Sequence, residues 1–206
     1  MHYVLLVVLW IGWCGLHSTL ISLPVTESLR KRFPNGFRYY RIAYNLVSAA
    51  TLLPAAVFSF SLSGDPIVSW QGPWRVVPIL LGSAALFFLA AGALRYDLRQ
   101  FLGLRQLRNE KACSVLTDDC TLDTGGVLSA VRHPWYSAGI LVIWARPLDL
   151  AAILTNLVIS AYLVVGALLE ERKLMVQFGR LYAEYQQRVS MLFPIRWLRS
   201  RLFRHD

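Results

Sequence analysis

Long runs with almost no charge alternate along this chain with short, strongly basic stretches. Tyr3–Leu23, Ile42–Leu62 and Arg75–Leu94 are each apolar over about the 20 residues that a helix needs to cross roughly 30 Å of hydrocarbon. Apolar character returns at Trp135–Ala145 and again at Leu150–Leu169, with Arg146-Pro147-Leu148-Asp149 as the turn between them. The pattern predicts five transmembrane helices, the last two forming a helical hairpin. Beyond Leu169, Leu174, Phe178, Leu181, Tyr182, Tyr185 and Val189 recur at helical spacing, while Lys173, Arg180, Glu184 and Arg188 occupy other faces. This predicts an amphipathic cytoplasmic helix, broken near Pro194. The expected fold class is therefore all-α, a polytopic membrane protein. Asp118-Asp119 through Gly125-Gly126 reads as a loop rich in turn formers.

Composition agrees with that pattern. Of the 206 residues 56% are hydrophobic and only 16% charged, below the roughly 25% charged of soluble domains. The net charge of +9 is compatible with nucleic acid by itself, but its distribution is not. Arg30, Lys31, Arg32, Arg38 and Arg41 lie between the first two spans, and Arg95, Arg99, Arg105, Arg108, Lys111 and Arg132 between the third and fourth. Arg172, Lys173, Arg180, Arg188, Arg196, Arg199, Arg201 and Arg204 follow the last, whereas the other two connections hold only Arg75 and Arg146. The positive-inside rule makes the three basic regions cytoplasmic, facing anionic lipid headgroups, with the N-terminus outside and the C-terminus inside. Five spans require opposite termini, so the two arguments agree. The first apolar run lacks a positive n-region and a small-residue cleavage site and reads as a retained span. Cys14, Cys113 and Cys120 form no CxxC, and four histidines (His2, His17, His133, His205) form no ligand cluster. We expect no structural metal, no disulfide framework and no nucleic-acid partner.

One length is anomalous. Pro134–Ala145 is about 12 residues, roughly 18 Å of helix at 1.5 Å per residue, too short to cross a bilayer. Either the Arg146–Asp149 turn lies within the membrane, or Arg132-His133-Pro134 is drawn below the cytoplasmic surface. The second is favoured, because Arg146 and Asp149 are costly at mid-membrane. Non-helical backbone at membrane depth must line a cavity or be buried in protein, so Gly125–Pro134 is expected to line a polar pocket open to the cytoplasm. Pro134 suits a first helical position, and Arg132-His133-Pro134 also reads simply as a helix start with an interfacial Arg and His. Glu170-Glu171-Arg172 ends the last span on the same side, where carboxylates abutting an apolar run require partners. It reads either as a charged boundary or as the anionic wall of that pocket.

These residues carry a resemblance. Val131-Arg132-His133-Pro134-Trp135-Tyr136, then Glu170-Glu171-Arg172-Lys173-Leu174, then Phe178-Gly179 with Tyr182 and Tyr185 before Pro194, resembles the isoprenylcysteine carboxyl methyltransferase superfamily. That superfamily includes phospholipid methyltransferases and bacterial methanethiol S-methyltransferases. The resemblance implies S-adenosylmethionine as cofactor beside a lipid-accessible acceptor tunnel. It implies that His133 and Tyr136 bind the cofactor and that Glu170 and Glu171 flank its charged amino-acid end. Arg132 would sit at the reaction centre or orient the loop. A sulfonium and an ammonium favour carboxylates, and aromatic rings suit adenine and cations. No strand–GxGxxG–helix unit is present, which excludes a soluble Rossmann-type methyltransferase.

The departures narrow the acceptor. Leu128 stands where many members carry Tyr or Phe, and Val164–Leu169 is uncharged where eukaryotic carboxyl methyltransferases carry basic residues. A prenylcysteine carboxylate would lose a counter-ion there. Trp144-Ala145, the Gly166–Leu169 approach to the glutamates and Met191-Leu192-Phe193-Pro194 are nearer to the bacterial thiol methyltransferases. NADPH-dependent sterol reductases share a segment like Arg132–Tyr136 but carry a His/Arg/Asp-rich stretch in place of Glu170-Glu171-Arg172, which argues for methyl transfer. A non-catalytic membrane accessory protein is the remaining alternative.

Fewer clues lie in the N-terminal half. His17, Ser18, Tyr44 and Asn45 fall near the cytoplasmic ends of the first two spans, and Arg95 and Asp97 close the third. They read either as helix–helix hydrogen bonding with a snorkelling Arg95, or as the acceptor side of the site. In the second case Tyr44, Asn45 and Arg95 bind substrate and His17 takes the proton of a thiol. The chain is expected to form a single membrane domain, 1–206, in a bacterial inner membrane. Within it 1–94 holds three spans, 95–194 the catalytic segment with the hairpin spans and C-terminal helix, and 195–206 a basic tail.

Overall fold

The computed structural model describes residues 1–108 and 121–203. Lys111, Cys113, the Asp118-Asp119 turn, Cys120, Arg204 and His205 lie outside the described residues. The described chain is helical. In order it forms α1 (His2–Ile21), α2 (Leu23–Arg32), α3 (Tyr40–Ser61), α4 (Val76–Ala93), α5 (Leu98–Leu102), α6 (Leu104–Leu107), α7 (Pro134–Trp144), α8 (Leu150–Phe178), α9 (Arg180–Arg188) and α10 (Ile195–Leu202). Short 3-10 turns at Phe37–Tyr39 and Gly72–Arg75 lead into α3 and α4, and another at Gly126–Ser129 precedes α7.

Among the described residues four helices are long and apolar enough to cross a membrane: His2–Ile21, Phe37–Ser61, Gly72–Ala93 and Leu150–Phe178. Their most apolar windows are only 11–22% buried by protein. Side chains such as Leu53, Val57, Leu86 and Leu157 are more than half exposed, and a lipid environment is what removes such surface from water. The expected fifth span is α7, whose 11 residues reach only about 16 Å. Four candidate membrane-crossing helices are thus found among the described residues, and α7 is not one of them.

The last long helix also differs from expectation. α8 does not end near Leu169 but continues unbroken to Phe178, because nothing between Leu169 and Phe178 interrupts a helix. The break falls at Gly179, whose φ of 52° and ψ of −123° suit a residue without a Cβ. The segment expected as one amphipathic helix is therefore the end of α8 plus α9.

By their contacts the residues divide into two compact units. Among the described residues the first holds 1–68, 97–108 and 148–159. Its core is Leu6, Trp10, Ala55 and Ala151, flanked by Trp13, Leu52 and Phe58. Both indoles at this core are paired, as hydrocarbon demands: that of Trp10 donates to Ser59 Oγ at 2.8 Å and that of Trp13 to the Ser48 carbonyl at 3.1 Å. Val68 and Leu148 exchange two backbone hydrogen bonds at 2.9 and 3.0 Å.

Among the described residues the second unit holds 69–96, 121–147 and 160–203. Here α4 packs on α7 through Ala85, Phe88, Val131 and Ala138. A Cβ at Gly92 would lie 2.6 Å from the Trp135 ring, so the two helices touch at that point, and the Trp135 indole donates to the Leu89 carbonyl at 3.1 Å. Along α8, Trp144 meets Ser160 (3.0 Å), Gly139 faces Leu163 and Tyr136 faces Gly166. A further core joins α8 and α9 through Leu174, Tyr182, Tyr185 and Val189, with Tyr96 and Leu122 against it.

Candidate active site

The centre of the second unit is the segment from Val131 to Pro134. It leaves the Gly126–Ser129 turn extended and pairs in parallel with the chain just beyond α9. The Arg132 amide donates to the Ser190 carbonyl at 3.0 Å and the His133 amide to that of Met191 at 3.1 Å. Ser137 Oγ donates to the carbonyls of His133 and Leu192. Residues 189–192 thus form a strap that satisfies a loop whose backbone would otherwise be orphaned.

Arg132 is 9% exposed and has all three guanidinium nitrogens engaged. Nε and Nη2 each lie 2.6 Å from Glu171 Oε1, and Nη1 donates to the carbonyls of Gln186 (3.1 Å) and Val189. Glu171, 7% exposed, is equally committed. His133 Nε2 lies 3.3 Å from its Oε1, and Gln186 Nε2 donates to its Oε2 at 2.8 Å. A buried ion pair is tolerable only when its remaining donors and acceptors are also met, and here they are.

His133 is 2% exposed and sits between both glutamates. Its Nδ1 is 3.8 Å from Glu170 Oε2, beyond hydrogen-bond range. Its ring meets Tyr136 edge-on at 5.4 Å and 87°, and the Tyr136 hydroxyl approaches Glu170. Glu170, with 28% side-chain exposure, is therefore the carboxylate of the pair that an incoming cation can reach. Tyr96 and Tyr182 also face it electrostatically. Burial, with Glu170 nearby, raises the phenol of Tyr96 above the usual tyrosine range. Burial does the same for Tyr182 and Tyr185, so all three stay neutral donors at physiological pH. Tyr185 uses its proton on the Leu128 carbonyl at 2.6 Å. The Tyr182 hydroxyl is buried with no hydrogen-bond partner among the described residues, close to both glutamates and Arg132.

The structure therefore brings Arg132, His133, Tyr136, Glu170 and Glu171 together in one unit. Sequence reasoning did not single out Tyr96, Tyr182 or Gln186 as site residues. For Tyr182 a signal existed in the spacing of Phe178-Gly179, Tyr182 and Tyr185. Gln186 and Tyr96 offered none.

Arg95 belongs to the same unit but faces the turn before the loop. Its Nη1 pairs with Asp123 at 3.4 Å, and a Cβ on Gly126 (φ +55°) would lie 2.6 Å from its Nη2. The guanidinium lies flat against a glycine turn. In the first unit, His17 Nε2 and the Tyr44 hydroxyl share a 2.6 Å hydrogen bond, with Arg41 over the Tyr44 ring at 5.4 Å. Asn45 Nδ2 donates to the Phe101 and Leu102 carbonyls at 3.2 and 3.4 Å, which ties α5 to α3.

Comparison with known proteins gives a consistent kinship. The chain is 39% identical over 102 residues to methanethiol S-methyltransferase 1 of Bradyrhizobium diazoefficiens, covering 49% of this chain and 35% of that protein. It is 30% identical over 164 residues to methanethiol S-methyltransferase 2 of the same organism, covering 78% and 62%. A methanethiol S-methyltransferase of a Pseudomonas species is 41% identical over 68 residues, covering 32% and 26%. The chain thus spans about a quarter to three fifths of the length of these relatives. No family model matches, and no solved structure does. All three relatives are methanethiol S-methyltransferases by name, so the chain is similar to proteins of that kind.

Proposed function

We propose that this protein is an integral-membrane methyltransferase that uses S-adenosylmethionine to methylate a small or lipophilic thiol. The observation that carries the reading is the donor set around Glu170. A reachable carboxylate stands beside His133 and Tyr136, with a buried Tyr182 hydroxyl left unpartnered. Such a set fits a ligand that carries an ammonium, a sulfonium and a polar purine. When bound, the cofactor supplies a methyl group already activated by its sulfonium.

This chain's residues do the positioning. Glu170 holds the cationic end, His133 and Tyr136 present ring edges and faces, and Tyr182 donates its free proton. Glu171 and Arg132 neutralise one another and fix the loop, so Arg132 orients rather than reacts. Exclusion of water by the surrounding core and correct alignment supply most of the rate. For the acceptor side we propose that His17, hydrogen-bonded to Tyr44, takes the thiol proton. Asn45 and Arg95 are kept as candidate acceptor-side residues, Asn45 also bonding the Phe101 and Leu102 carbonyls and Arg95 also pairing with Asp123. The distribution of basic residues supports a bacterial inner-membrane location, the N-terminus outside and this site on the cytoplasmic side.

Titration of the purified protein with S-adenosylmethionine tests the reading. Saturable binding weakened at least tenfold in Glu170→Ala and His133→Ala, about 1.4 kcal/mol, is the expected result. Binding of NADPH instead would assign a reductase, and binding of neither an accessory protein. Product analysis with methanethiol, a prenylcysteine and a phospholipid then identifies the acceptor.

A further inference from the structure

α10 has no buried residue. Ile195 is 67% exposed, Leu198 45% and Leu202 71%, and Phe203 follows at 77%. The spacing i, i+3, i+7 puts Ile195, Leu198 and Leu202 on one stripe of the helix. Arg199 and Arg201 lie outside that stripe, both exposed, with the Arg201 guanidinium over the Trp197 ring at 5.5 Å. No acidic residue occurs between Ile195 and Phe203. An apolar stripe with cationic flanks and an indole is the composition of a helix lying at the headgroup–acyl boundary, and its charge complements an anionic lipid surface.

The helix is also joined to the site. The Arg196 amide donates to Ser190 Oγ at 3.0 Å, and its guanidinium donates to the carbonyls of Gln186 and Gln187, each at 2.6 Å. Ser190 is the residue whose carbonyl receives the Arg132 amide. We propose that α10 is an in-plane helix that binds anionic phospholipid headgroups and anchors the 189–192 strap to the membrane surface. The inference stands independently of which reaction the protein catalyses.

Hydrogen exchange on the full-length protein in nanodiscs tests it, with phosphatidylcholine alone compared to phosphatidylcholine plus phosphatidylglycerol. Amides of 195–202 are expected to exchange roughly tenfold or more slowly in the anionic discs, the order two arginines supply at such a surface. Added salt should shrink the difference. Arg199→Gln/Arg201→Gln should abolish the lipid dependence, and Leu198→Asp/Leu202→Asp should speed exchange in both lipids. Exchange in 174–189 that matches the parent shows that each variant is folded. Equal exchange of the parent in the two lipids overturns the proposal without any variant. So does slowing that survives in the arginine variant, or protection in detergent that grows with protein concentration, which would assign the face to a second copy.

Discussion

Replacing Arg132 by Met should expose how strongly the buried pair is coupled. The substitution keeps the apolar stem but leaves Glu171, with 9% side-chain exposure, facing only the His133 ring and the Gln186 amide. Gln186's carbonyl retains Arg196 as donor, so Val189 is the carbonyl left without its side-chain donor. Breaking a buried pair by removing one partner costs about 3–5 kcal/mol, and an orphaned acceptor adds about 1 kcal/mol. Glu171→Met strands a cation that still reaches two carbonyls, so its loss should be near the lower end, about 3 kcal/mol. The double variant removes both charges and should fall within about 1–2 kcal/mol of the parent, because well-packed apolar replacements of buried pairs are often neutral. SDS titration of the detergent-solubilised protein, followed by far-UV circular dichroism, measures all four states without reference to catalysis. A coupling energy below about 0.5 kcal/mol, the range of independent sites, would refute the view that the pair holds the loop.

Further perturbations follow from the same geometry. Gly126→Ala drives a Cβ into Arg95 and strains a positive φ, so the same titration should show a loss of about 1–2 kcal/mol, with Asp123→Asn costing less than about 1 kcal/mol. Tyr185→Phe removes the 2.6 Å bond to the Leu128 carbonyl and should cost about 1–3 kcal/mol, with little change in cofactor affinity. The phenols of Tyr96, Tyr182 and Tyr185 are raised in the folded state, so the native protein holds more protons than the unfolded chain above pH ~10. Their contribution to stability is full below that pH and declines as pH rises further. Spectrophotometric titration at 295 nm should show fewer ionising tyrosines in native than in SDS-unfolded protein, and equal numbers would contradict their burial.

Much of the fold was legible because hydrocarbon imposes length. Three uninterrupted apolar runs read directly as α1, α3 and α4, and the shortness of the Pro134–Ala145 run flagged the loop before it. The end of α8 was misjudged because hydropathy stops at Leu169 while helix propensity does not, and only Gly179's backbone halts it. For the site, Arg132, His133, Glu170 and Glu171 could be grouped because ionisable residues beside apolar spans need partners, whereas Tyr136 entered through the family resemblance. The strap could not be foreseen, since its bonds to Arg132 and His133 are made by backbone carbonyls, which carry no sequence mark. Arg95 was nominated for a ligand by its charge, and its approach to Gly125 and Gly126 could not be read from that charge.

The strap has a consequence in time as well as in space. Arg132 bonds to a carbonyl 57 residues downstream, so the loop leaves the ribosome long before its partner exists. At about 5–20 residues per second that interval is roughly 3–11 s. For the first 39 residues of it Arg132 waits without Glu171, and the carbonyls of Gln186 and Val189 follow later still. Assembly of this loop is therefore a late event in biogenesis, and the substitutions that weaken the strap should show themselves first as poor yield of inserted protein.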